Sequence, residues 1–211
     1  MNKNKYEQQH MEKSWKRGGT GGYRTFEVDD SVIKFNQFLK EKKVKGKLLD
    51  IGCGNGKNTL YFSKNGFDVL GIDFTLSAIK ISKDYAKKEN SKAKFKVVDI
   101  VEDELKEDNY DIIIDCGCLH HLRKQYWNKY RRNILRSLKS GGYYYLHAFS
   151  DNNYKLGHNK QYRLRKGHYT NFLSEKEIKT AFGKYFKIIK TYEFLTPNKR
   201  FIVRAYYMKR D

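Results

Sequence analysis

The sequence predicts a doubly wound α/β domain, and three observations carry that reading. From residue 48 to residue 149, short apolar runs of strand length alternate with stretches of helix length. Such alternation requires parallel strands joined by right-handed crossovers, with helices on both faces of the sheet. A glycine-rich turn follows the first apolar run, where a strand hands over tightly to a helix. The last two apolar runs have no helix between them, so they pair antiparallel.

Each element follows from its residues. Residues 1–27 are polar, punctuated by Tyr6, Trp15, Tyr23 and Phe26. They contain Gly18-Gly19-Thr20-Gly21-Gly22 and read as a flexible N-terminal lid segment, with Trp15 and Tyr23 folding over a bound ligand. Asp29-Asp30-Ser31 opens a helix carrying Val32, Ile33, Phe35, Phe38 and Leu39 at near-helical spacing, and Gly46 ends it. Residues 48–51 are a buried strand, followed by a helix to about Asn65. Residues 68–72 are a second strand, and 75–88 a helix with Leu76, Ile79 and Tyr85 on one side. Residues 93–98 and 110–114 are the third and fourth strands, and a helix runs from about 125 to 138. Gly141-Gly142 turns into a fifth strand, 143–149. Residues 150–172 read as an irregular insert on the substrate side. Ser174-Glu175-Lys176-Glu177 then opens a helix as a capping box. Residues 186–194 and 201–208 close the chain as two strands joined around Pro197. Residues 1–211 form a single domain.

Composition narrows the function classes. Hydrophobic residues make up 39% of 211, enough for a core, while one proline and 16 glycines exclude collagen-like and proline-rich chains. Three cysteines make no disulfide framework, no apolar stretch is long enough to cross a bilayer, and the polar N-terminus lacks the apolar core of a secretion signal. A cytoplasmic protein without a membrane partner is expected. The formal net charge is +20, and residues 116–211 carry 22 basic and only five acidic side chains. The runs 123–139 and 155–166 hold seven and five basic residues and no acid. That asymmetry suits a polyanionic partner such as RNA. It is also, and more simply, what an AT-biased genome writes, since the chain is rich in Lys, Asn, Ile and Tyr and has six Ala.

The most informative stretch is Asp50-Ile51-Gly52-Cys53-Gly54-Asn55-Gly56. Gly52 and Gly54 permit positive φ and close backbone approach, and a helix N-terminus follows. Asp73 lies 23 residues after Asp50, at the end of the next strand, where an acid can hold both hydroxyls of a ribose. Asp99 follows the third strand, placed to accept from an adenine amine. A nicotinamide dinucleotide site fits less well, because its Gly-x-Gly-x-x-Gly spacing is absent and Asp50 would face a pyrophosphate.

These residues resemble the class I S-adenosylmethionine-dependent methyltransferases. Asp50 to Gly56 match the family's first motif, Asp73 its ribose-binding acid, and Asp99, with Ile100 beside it, its adenine contact. Leu138-Lys139-Ser140-Gly141-Gly142 matches its usual turn. The resemblance extends from about residue 46 to 148. It implies a Rossmann-like, seven-stranded, mostly parallel sheet with the last strand antiparallel. It further implies S-adenosylmethionine as cofactor, with S-adenosylhomocysteine as product, held by Asp50, Gly52, Gly54, Gly56, Asp73, Asp99 and Ile100.

The acceptor is less legible. The Asp/Asn/Ser-Pro-Pro-Tyr motif of amino-methylating nucleic-acid enzymes is missing after the fourth strand, and Cys116 and Cys118 lack the proline context of a cytosine-attacking cysteine. Asp115-Cys116-Gly117 with His120-His121-Leu122 is similar to the small-molecule branch that includes thiopurine and tellurite methyltransferases. Asp115 and one of His120 or His121 are therefore the candidate catalytic residues, the histidine as general base or orienting group, with His147 on the neighbouring strand close by. Cys116, Cys118, His120 and His147 depart from the spacing of structural zinc ligands, so no metal is expected. Tyr154, Tyr162, Tyr169, His158 and His168 interleave with Lys155, Lys160, Arg163, Arg165 and Lys166 in the insert. They suit either base stacking or a lid in which Arg163 or Arg165 clamps a carboxylate. The readings left open are a methyltransferase for a small acceptor, neutral or anionic, a tRNA or rRNA methyltransferase using the basic 123–166 surface, and a donor-binding module that transfers nothing.

Overall fold

A computed structural model describes residues 3–17, 25–105, 109–156, 162–165, 168–196 and 198–211, side chains of 3–6, 156 and 163–165 excepted. Its helices are α1 (Lys3–Lys16), α2 (Asp30–Glu41), α3 (Lys57–Lys64), α4 (Leu76–Lys88), α5 (Trp127–Ser137) and α6 (Glu175–Phe182). Its strands are β1 (Lys47–Ile51), β2 (Asp68–Asp73), β3 (Lys94–Val97), β4 (Tyr110–Cys116), β5 (Leu138–Phe149), β6 (Tyr162–Arg165), β7 (His168–Asn171), β8 (Phe186–Leu195) and β9 (Ile202–Arg210). Seven of them form one sheet in the order β3-β2-β1-β4-β5-β9-β8. β1 pairs in parallel with β2 and β4, as do β2 with β3 and β4 with β5. β9 is antiparallel to both β5 and β8, so it alone runs against the other six.

Period-two alternation along the strands divides the core between two faces. Leu49, Ile113, Tyr144, Leu146, Tyr206 and Met208 pack with Trp127, Tyr130 and Ile134 of α5 and Ile178 and Phe182 of α6. Leu48, Ile112, Ile114, Tyr145, Ala205 and Tyr207 pack with Val32, Phe35 and Leu39 of α2 and Phe62 of α3. On that second face the Phe35 ring stacks on Tyr145 at 4.7 Å and meets the edge of Tyr207 at 5.0 Å. The chain leaves β1 outward to β2 and β3, then returns to place β4 on the other side of β1. Strand order therefore reverses between β1 and β4, and a crevice opens at their carboxyl ends.

Two readings of the sequence change. Residues 3–16, expected within a flexible arm, form the 14-residue helix α1. The insert, expected to be irregular, contains a 3₁₀ segment over Asp151–Leu156 and an antiparallel pair, β6 with β7. The buried Arg204 guanidinium of β9 ties this insert down through Asp151, Glu175, Glu193 and the Leu173 carbonyl. Gly18 to Gly22, Tyr23, His158, Lys160, Lys166 and Pro197 lie outside the described residues, as do the side chains of Arg163 and Arg165. No described helix is long and apolar enough to cross a membrane.

Candidate active site

The turn from β1 to α3 is built by backbone conformations that favour glycine. Gly52, Gly54 and Gly56 have φ of +69°, +56° and +81°. A Cβ on Gly52 would also stand 2.9 Å from the Cβ of Cys118, so this loop and the segment after β4 meet at van der Waals contact. Asp73, at the end of β2, locks the turn. Its Oδ2 accepts from the Gly54 N–H at 3.2 Å, and its Oδ1 from the Thr75 N–H at 2.9 Å and the Thr75 hydroxyl at 2.7 Å. A carboxylate offers about four acceptor positions. Three are taken, leaving one for a ligand hydroxyl rather than the two a doubly held ribose would use.

These residues border a cavity at the switch point, with about 90 Å³ of interior space. Gly52, Gly54, Asp73, Asp99 and Ile100 line one end of it, together with Ile51, Ile72, Phe74 and Val98. Two expected residues do not line it. The Asp50 carboxylate points into the α3 side of the sheet, buried, and accepts from the Thr59 hydroxyl at 2.6 Å. Burial pushes its pKa up to about 7. Gly56 starts α3 and faces Ser82 and Phe95.

The other end is formed by Gly117, Cys118, His121, Leu122, Arg123, Tyr126 and His168, with Glu7 and Met11 from α1. Glu7, Met11 and Trp15 recur every fourth residue, so one stripe of α1 faces the cavity. The helix is held at both ends of the crevice. Gln8 donates to the Phe74 carbonyl at 2.7 Å, and Glu12 accepts from the backbone N–H (3.2 Å) and hydroxyl of Ser77 at the start of α4. Glu7 accepts from the Tyr169 N–H of β7 at 3.4 Å and lies 3.6 Å from Arg123.

Asp115, expected as a catalytic residue, does not line the cavity. It is wholly buried and accepts from the N–H groups of Gly117, Cys118 and Leu119 and from the Tyr130 hydroxyl. Those bonds shape the turn after β4 and restrain a pKa that burial still lifts to about 6. His120 is likewise buried, stacked on Phe149 at 4.2 Å, and does not line the cavity. Burial and the neighbouring His121 hold its pKa well below 6.5, so its ring is neutral near pH 7. His147, edge-on to Phe194, is near enough to act electrostatically on His120 but does not line the cavity, and burial lowers its pKa to about 4.

The tautomers of the adjacent histidines follow from their partners. The Phe149 N–H donates to His120 Nδ1 at 3.3 Å, so the neutral His120 carries its proton on Nε2. That proton is donated to His121 Nε2 at 3.0 Å. His121 in turn donates from Nδ1 to the Tyr169 carbonyl at 3.1 Å, an atom that only accepts. The His121 lone pair is thus engaged by His120. The sequence did not single out Glu7, Met11 or Tyr126, and took His168 only as part of the insert.

The thiols of Cys116 and Cys118 are pushed well above their ordinary pKa by burial and by Asp115 and Asp50, the opposite of what an attacking thiolate needs. Among the described residues, no three His, Cys, Asp or Glu side chains gather as metal ligands. Of the seven basic residues in the 123–139 run, five are paired with carboxylates: Arg123 with Glu7, Lys124 with Glu177, Lys129 with Glu102, Arg136 with Glu104 and Lys139 with Asp111.

Residues 27–187 match a protein family described as a methyltransferase domain. The chain is 32% identical over 121 residues to a probable S-adenosyl-L-methionine-dependent methyltransferase, TehB, of Haemophilus influenzae, covering 57% of this chain and 41% of that one. It is 28% identical over 114 residues to the 2-heptyl-1-hydroxyquinolin-4(1H)-one methyltransferase of Mycobacteroides abscessus, covering 54% of this chain and 50% of that one. The chain spans half or less of the length of these two relatives. Its fold is similar to that of the 1,6-didemethyltoxoflavin-N1-methyltransferase of Burkholderia thailandensis, crystallised with 1,6-didemethyltoxoflavin and S-adenosylhomocysteine. The TM-score is 0.78 at 17% identity, over 98% of this chain and 88% of that one.

Proposed function

The chain belongs to this methyltransferase-domain family, and from that premise we propose that it transfers a methyl group from S-adenosylmethionine to a small-molecule acceptor. The observation that carries the reading is the two-ended cavity under α1. One end suits a nucleoside. Asp73 keeps one acceptor position for a ribose hydroxyl, Asp99 and Ile100 flank an adenine, and Gly52 and Gly54 let the backbone approach the amino-acid part. The other end receives the acceptor between the turn after β4 and the β6–β7 hairpin. S-adenosylmethionine supplies a methyl group on an already activated sulfonium, so the protein's work is alignment and exclusion of water.

α1 acts as the lid. Glu7, Met11 and Trp15 cover the cavity, so α1 must move aside for the donor to enter. A site covered in this way suits a small acceptor better than a polymer, and the pairing of most of the 123–139 cations lowers the charge left for phosphates. The three unpaired cysteines fit a reducing, cytoplasmic setting.

The test is incubation of the full chain with methyl-tritiated S-adenosylmethionine and a cell extract, followed by separation of RNA, protein and small molecules. Label in the small-molecule fraction, insensitive to nuclease and protease, is the expected result. Nuclease-sensitive label would move the assignment to RNA. Tight donor binding with no label in any fraction would make the chain a donor-binding module.

A further inference from the structure

The acceptor end of the cavity contains two facing side chains from elements far apart in sequence, Glu7 of α1 and His168 of β7. Glu7 Oε2 lies 3.5 Å from His168 Nδ1, and the side chains are only 12% and 22% exposed. Glu7 Oε1 and His168 Nδ1 are both buried and make no hydrogen bond within the protein. The imidazole sits between two other rings, stacked against His10 of α1 at 5.4 Å and tilted against His121 at 4.4 Å. Arg123 Nη2 lies 3.6 Å from Glu7 Oε1.

The chemistry of this pair is directional. An ionised carboxylate only accepts, so Glu7 beside Nδ1 favours the tautomer with the proton on Nδ1. Nε2 then carries the lone pair. That is the arrangement in which a carboxylate orients an imidazole and stabilises the imidazolium formed when it takes a proton. His121 cannot play the part, because its Nε2 already accepts from His120 and its Nδ1 donates to Tyr169. The 3.5 Å separation is long for a hydrogen bond, and such contacts commonly tighten in the reacting complex.

We propose that His168 is the general base of methyl transfer and that Glu7 is its positioning residue, so that the acceptor is a molecule whose attacking atom bears a removable proton. This rests on the methyl-transfer reading above and narrows its substrate class to aromatic or enolic hydroxyls, thiols and ring N–H groups, excluding tertiary amines. In the step, the acceptor heteroatom forms the new bond to the methyl carbon, and the sulfur–methyl bond breaks with its electron pair staying on sulfur, giving the neutral thioether. The acceptor's proton passes to His168 Nε2 and then to solvent. No oxidant or reductant is consumed. Glu7 enters the site only with α1 docked, so the base is oriented only when the lid is closed.

The test uses the full chain with three probe acceptors: phenol, thiophenol and the tertiary amine N,N-dimethylaniline. Transfer of label from S-adenosylmethionine is followed from pH 5 to 10, with S-adenosylhomocysteine affinity measured alongside. The groups facing His168 are Glu7 and His10 from α1 and His121 from the turn after β4, with His120 behind His121 and Arg123 behind Glu7. His168→Asn should lower kcat for phenol by roughly 10²–10⁴-fold, with S-adenosylhomocysteine affinity within twofold of wild type. Glu7→Gln should lower kcat for phenol by about tenfold with KM little changed, because the carboxylate that orients the imidazole is gone, and Glu7→Asp should restore part of it. Thiophenol at pH 9, already ionised, should be methylated by His168→Asn within tenfold of wild type. Undiminished phenol methylation by His168→Asn, or preference for the tertiary amine, would overturn the proposal.

A nitrogen-15 NMR measurement of His168 keeps the two readings separable. If S-adenosylhomocysteine binds but no probe is methylated, the separation of label from the extract decides the small-molecule reading. The spectrum still decides the pair: a proton on Nδ1 that depends on Glu7 supports it, and a proton on Nε2 overturns it.

Discussion

Asp73 joins the glycine turn to the end of β2, and replacing it with Asn keeps the shape while removing half of its accepting capacity. The remaining oxygen can serve the Thr75 N–H and hydroxyl, now at 2.9 and 2.7 Å. The new amide NH₂ would then face the Gly54 N–H, donor against donor, across the present 3.2 Å. The orphaned buried N–H costs roughly 1–3 kcal/mol of stability, and removal of the buried charge, whose pKa is raised chiefly by burial, offsets part of that. The donor loses its hydrogen bond to a charged acceptor, roughly 1.5–3 kcal/mol, or about 10–150-fold in affinity. Calorimetric titration of S-adenosylhomocysteine into wild type and Asp73→Asn, with thermal melts to show that both are folded, gives the comparison. A folded variant that binds within threefold of wild type would refute the placement of the ribose at Asp73.

Four further outcomes are expected. Gly52→Ala forces a Cβ into a φ of +69° and to 2.9 Å from Cys118, so donor affinity should drop at least tenfold in the same titration. Asp50 titrates at about 7 folded against an ordinary 3.8; the folded state therefore holds the extra proton between those values, and stability falls as pH rises through that window, by at most on the order of 4 kcal/mol. Asp50→Asn keeps an acceptor for Thr59 without the charge, so its melting temperature should match wild type near pH 4 and exceed it at pH 8, and a deficit at pH 8 in the melts would contradict this. Phe35→Ala empties the centre of the α2 face and should cost about 3–5 kcal/mol in denaturant unfolding, leaving the donor affinity of the folded protein within twofold. Glu12→Ala removes both bonds between α1 and Ser77, so stopped-flow should find donor release about tenfold faster.

Most of the sheet was legible because parallel strands buried on both faces read as short apolar runs, and the glycine turn, Asp73 and Asp99 fell at strand ends where such folds bind ligands. α1 was not, because its sequence is almost wholly polar. Its signal was present in the spacing of Glu7, Met11 and Trp15, but a single acid in that stripe breaks the apolar pattern by which a buried face is recognised. The place of Asp115 was not legible either, for a different reason. An acid after the fourth strand looks alike in sequence whether it meets a ligand or ties up three backbone N–H groups and a tyrosine, and only the fold separates the two. The partnership of Glu7 with His168 spans most of the chain and has no local signature.

The central claim is that donor and acceptor meet in one cavity closed by α1. A crystal structure of the full chain with S-adenosylhomocysteine tests it most directly. The expected result places the ribose on Asp73, the adenine beside Asp99 and Ile100, and the sulfur facing the end lined by Glu7, His121 and His168, with α1 docked above. A product bound elsewhere, or one whose sulfur points away from that end, would contradict the account.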